Sequence, residues 1–150
     1  MTDTSTEAVV AGYLAGVDDG ARGSLAALAA VVRAAHPGFD VAVKYHLLTY
    51  AVDADWRHWV CAANATKRGL CLRFLYGVIM DDELGVLRAG TANLMTWDLP
   101  FDAVEARADD ITAYVRQAVS LFPYFRANAK QINADARAAA LSRGRRPAGP

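Results

Sequence analysis

What this chain has little of excludes several kinds of chemistry. It has only two cysteines, Cys61 and Cys71, and three histidines in 150 residues. Two cysteines do not make the disulfide framework of a small secreted domain. With His58 as the only histidine close to them in sequence, they also lack zinc-type ligand spacing. Both are expected as small buried hydrophobes with free thiols. No apolar run approaches the roughly 20 residues that a membrane-crossing helix needs, so no membrane partner is expected. Met1-Thr-Asp-Thr-Ser-Thr-Glu7 has no basic segment leading into an apolar core. No secretory signal is visible, and a cytoplasmic location is expected. There is no phosphate-binding glycine loop, no dinucleotide fingerprint and no Ser-His-Asp set, so no cofactor is implied. Net charge is absent as well, since 16 Lys and Arg balance 16 Asp and Glu.

What is present is a globular composition, 54% hydrophobic and 21% charged, at a length that suits one domain. The charge is uneven. From Arg126 onward six cations face one acid, Asp135, so this end carries +5 and the remainder −5. Such a tail is the part suited to anionic partners. Arg143-Gly-Arg-Arg146 is nevertheless read as a solubilising, disordered terminus, and nucleic acid is not an expected partner.

Hydrophobic spacing divides the chain into helix, sheet and helix. Thr4-Ser-Thr-Glu7 fits a capping box that opens a helix carrying Val9, Val10, Tyr13, Leu14 and Val17. Asp18-Asp19-Gly20 breaks it. A second helix over about 21–35 has Leu25, Leu28, Val31 and Val32 as its stripe, with Arg22 and Arg33 outside, and His36-Pro37-Gly38 stops it. Val41, Val43 and Tyr45 then alternate with Ala42, Lys44 and His46, the period of a strand. Thr49–Val52 continues it or forms a second strand. Trp56–Ala65 and Leu70–Tyr76 read as a hairpin centred near Thr66, which sets Cys61 about opposite Cys71. Asp81-Asp82-Glu83 predicts a capped helical turn around Leu84–Leu87, and Leu94–Leu99 a last strand. A helix starting near Ala103 or Asp109 runs to Phe122, where Pro123 ends it or opens another. The expected fold is α+β: an antiparallel sheet of about five strands with N-terminal and C-terminal helices packed mainly on one face. Residues 1–123 form the domain, 124–141 a peripheral helix and 142–150 a disordered basic tail.

Several phrases in this order carry a resemblance. They are Tyr13-Leu14, Val43-Lys44-Tyr45 with Thr49-Tyr50, Lys67 ahead of Leu70-Cys-Leu-Arg-Phe74, and Leu87-Arg-Ala-Gly-Thr91. Over roughly Val9 to Leu121 the chain resembles the YdhG-like family of uncharacterised bacterial domains, the domain of unknown function 1801 group. The resemblance implies a small cytosolic protein with a frataxin-like sandwich, and iron handling by analogy with frataxin. The family's strand phrase reads approximately Glu-x-Ile-Lys-Tyr-Gly-x-Pro-x-Tyr. Lys44, Tyr45 and Tyr50 match it, whereas Val41, His46 and Leu48 replace the acid, the glycine and the proline. Gly69 stands where the family often has histidine.

The candidate site follows from polar residues in an apolar sheet. On a regular strand Lys44 and His46 share one face. His58 is expected on the following strand, converging with them and with Tyr50. Lys44, His46, Tyr50 and His58 would line a ligand pocket, with no metal and no catalytic residue assigned. The expected function is a small-molecule-binding or interaction module without catalysis, with a small ligand and a second copy of the chain as partners. The alternatives are frataxin-like iron handling and an enzyme using His46 or His58 as a base.

Overall fold

The computed structural model describes residues 4–144. Helix α1 (Thr4–Ala15) and helix α2 (Asp19–Ala35) come first. In α2 the residues Leu25, Leu28, Ala29 and Val32 recur at helical spacing and are buried. Its end is capped by the His36 backbone N–H, which donates to the Val32 carbonyl. Pro37 cannot extend the turn. In α1, Thr4 is already helical, so the cap position falls on residue 3, outside the described residues. From Ser5 to Ala15 only Thr6 is buried, and Val9, Val10, Tyr13 and Leu14 are half-buried on different flanks.

The sheet contains β1 (Asp40–Lys44), β2 (Leu47–Ala51), β3 (Cys61–Ala65), β4 (Leu70–Phe74), β5 (Leu87–Ala89) and β6 (Met95–Leu99). All neighbours are antiparallel, in the order β1-β2-β3-β4-β6-β5. The α+β class is as expected, with six strands. The additional short strand is β5, where a helical turn was expected. The Asp82 carboxylate accepts from the backbone N–H of Val86 and Leu87 at 2.9 and 3.0 Å. That loop competes with helix formation and leaves Leu87 opposite Trp97.

Three local corrections bear on the site. Val41–Tyr50 is a hairpin, with Lys44 opposite Leu47 and the turn residues Tyr45 and His46 at φ of 53° and 64°. His46 is therefore in a turn and not on a strand face. Trp56–His58 is a single 3₁₀ turn, so His58 precedes β3 instead of lying within it. In the β3–β4 hairpin Ala65 faces Leu70, which centres the loop beyond Thr66. Cys61 then faces Phe74 and Cys71 faces Asn64, so the two free thiols lie on opposite sides of the sheet. Leu70, Leu72 and Phe74 do share one face, as their alternation predicts, and it is the core face.

Helix α3 (Ala108–Gly144) closes that face. It runs through Pro123, where the sequence pointed to a break. The proline removes one helical hydrogen bond, but Phe122 and Phe125 on either side are buried. The Tyr76 hydroxyl donates to the Ala118 carbonyl at 2.7 Å, and the Tyr76 ring stacks on Phe125 at 4.4 Å. Ser142 to Gly144 are helical, and residues 145–150 of the basic tail lie outside the described residues. Among the described residues no helix is long and apolar enough to cross a membrane. The opposite sheet face carries a small cluster of Ala51, Trp59 and Ala62, with Leu47 and Trp56 packed against it.

Candidate functional site

Helix α1 is the loosely packed element, and a cavity opens on each of its flanks. The Tyr13 hydroxyl donates to the His46 carbonyl at 2.8 Å, tying α1 to the β1–β2 turn. On that flank Val9, Gly12 and Val17 front an open groove of about 910 Å³, whose far wall includes Val43, His46 and Lys67. On the other flank lies a cleft of about 290 Å³ between α1 and α2. Its walls are Val10, Ala11 and Leu14 from α1 and Ala26, Ala29 and Ala30 from α2. Three alanines on α2 leave the space that larger side chains would fill.

The floor of the cleft is Tyr50. Strand β2 sends Leu48 and Tyr50 toward the helices and Ala51 to the other face, because successive strand residues alternate. The Tyr50 ring meets Phe39 edge-on at 5.4 Å. The side chain is fully buried, and its hydroxyl has no hydrogen-bond partner. Burial pushes this hydroxyl far above the usual phenol range, so it stays protonated and able to donate. Leaving such a group unpaired costs about 1–3 kcal/mol.

The cleft is polar at one end. A short connection over residues 16–18 makes α1 and α2 an antiparallel pair. Leu14 and Ala26 therefore lie near the connection, and Glu7 and Arg33 share the opposite end. Arg33 has no hydrogen-bond or ion-pair partner among the described residues, and its charge acts on the Tyr50 hydroxyl.

The structure does not gather Lys44, His46, Tyr50 and His58 into one pocket. Lys44 lies on the outer sheet face with its ammonium 5.2 Å from the centre of the Trp56 ring. His46 lines the larger groove and Tyr50 floors the cleft. The His58 Nδ1 sits 2.9 Å from the Asp55 carboxylate, and its ring meets Phe125 edge-on at 5.7 Å. Partial burial opposes ionisation of Asp55, but hydrogen bonds from His58 and the charges of His58 and Arg126 outweigh it. The carboxyl is held below the usual carboxylate range. His58 is thus engaged in joining the 3₁₀ turn to α3. The separation has a simple cause: the two-residue turn puts His46 off the strand, and Lys44 and Tyr50 have opposite parity across the β1–β2 pair.

Sequence reasoning missed Arg33, placed on the outside of α2, and the alanines opposite α1. The signal available was α1 itself, whose apolar residues span more than one face. Among the described residues no three His, Cys, Asp or Glu side chains come together, so no ligand set is offered for iron.

No protein-family model matches the chain, and no curated protein matches it. A solved structure similar to it is that of YdhG, from the domain of unknown function 1801 family, from Bacillus subtilis. That protein is 16% identical, with a TM-score of 0.48, over 67% of this chain and 92% of the other.

Proposed function

We propose that this is a cytoplasmic small-molecule-binding module of the YdhG-like kind, without catalysis, and that its site is the α1–α2 cleft above Tyr50. The family assignment rests on Lys44-Tyr45, Tyr50 and the accompanying phrases of the sequence. The observation that carries the binding reading is the Tyr50 hydroxyl, buried and without a partner beneath an apolar cleft. A ligand acceptor reaching that hydroxyl would offset the cost of its burial. Reaching it requires α1 to move slightly outward, which its half-buried contacts permit.

Saturation-transfer NMR against a mixture of small amphipathic molecules tests this. The expected result is saturable binding that disappears in Leu14→Trp, which fills the cleft. Binding unchanged in that folded variant, or no binding at all, contradicts it.

A further inference from the structure

We propose that the ligand of this cleft is a small apolar carboxylic acid, with its carboxylate between Arg33 and the Tyr50 hydroxyl and its tail toward Leu14 and Ala26. This rests on the cleft reading above and adds the chemistry of the head group. Two facts point to a carboxylate. Three groups at that end lack partners: the half-buried guanidinium and the buried phenol O–H are donors, and the third, the Glu7 carboxylate, is exposed to solvent. A carboxylate has two oxygens and can accept from both, in charge-assisted hydrogen bonds. An alcohol oxygen can accept from them only without the charge, and an ammonium from neither. The cleft volume of about 290 Å³ is at the lower end for small-molecule sites, about 300–1,000 Å³, so the acid is short. Glu7 at the same end disfavours a second negative group, which points to a monoacid with an apolar tail.

The test is calorimetry with three probes of equal length: hexanoate, 1-hexanol and hexylamine. Hexanoate is expected to bind about tenfold or more tighter than the alcohol, and the amine more weakly than either. Arg33→Gln should bring the acid down to the alcohol, whereas Lys67→Gln, in the larger groove, should leave the preference intact. An alcohol that binds wild type as tightly as the acid overturns the carboxylate and leaves the cleft standing. A preference for acid that survives in Arg33→Gln overturns the role of Arg33. If none of the three binds, the cleft reading falls with it. Urea unfolding midpoints of each variant separate loss of recognition from loss of fold.

Discussion

Tyr50 is the residue whose chemistry and burial disagree. Its ring belongs in the core and its hydroxyl does not, since nothing among the described residues accepts its proton. Tyr50→Phe is therefore expected to keep the packing, remove the unpaired group and raise stability by about 1 kcal/mol. Urea unfolding measures this, and a destabilisation would show that the hydroxyl has a partner. His46 holds a comparable tension. At φ of 64° it occupies the left-handed region that costs an L-residue about 1–2 kcal/mol. Glycine adopts such a φ without that cost, and the strand phrase that this chain resembles carries glycine here. His46→Gly is expected to stabilise the fold by about 1 kcal/mol, read from the same unfolding curves, and a loss of stability would mean that the imidazole contributes more than the strain removes. Gly69 is the reverse case, since a Cβ there would come within 2.6 Å of the Leu99 carbonyl. A larger side chain there would not fit without backbone movement. At this scale the sequence marked Tyr50 as a candidate site residue and His46 as a departure from the strand phrase that the chain resembles. It could not show the unpaired hydroxyl, which depends on what α1 and α2 set above β2.

Among the elements, α2 was legible because its apolar period is regular and His36-Pro37-Gly38 ends it. The 3₁₀ turn at Trp56–His58 was not, because Trp, Arg and His are as acceptable in a strand as in a single turn. The β3–β4 register was missed because a polar loop marks a reversal without fixing its centre, and the shift moved Cys61 and Cys71 to opposite faces. The loop before β5 was misread because Asp82 caps by accepting from backbone N–H groups in either setting. That loop makes a pH prediction. Partial burial opposes ionisation of Asp82, but the Tyr114 hydroxyl at 2.7 Å and three backbone N–H groups outweigh it. The carboxyl is held below its ordinary value. A depressed carboxyl contributes stability that is complete above its unfolded value, about 3.9, and is lost as pH falls through the folded one. Asp82→Asn should lower the unfolding midpoint at neutral pH and flatten its decline between about pH 5 and pH 3. An unchanged acid limb would contradict this. Tyr114, pushed up to about 12 by burial and by the Asp82 carboxylate, stays protonated throughout.

At the scale of the molecule the α+β class could be read from the order of helical and alternating segments. The continuity of α3 could not, because proline is the usual stop signal and the apolar face beyond it is thin. Ile132 and Ala136 are buried on that later stretch, and Asn133 is hydrogen-bonded to Asn93. We expect Ile132→Ala to cost about 2–4 kcal/mol in urea unfolding, and a cost near zero would identify the segment as peripheral. The larger consequence is the placing of α1, which leaves a groove on one flank and a cleft on the other. On the proposed reading the cleft, and not the groove holding His46, receives the ligand. Methyl-resolved NMR during a hexanoate titration distinguishes the two. Saturable shifts are expected to be largest at Val10, Leu14, Ala29 and Ala30, with Val43, across the groove, unmoved. Shifts centred on the groove residues, or no saturable shift at any methyl, would contradict it.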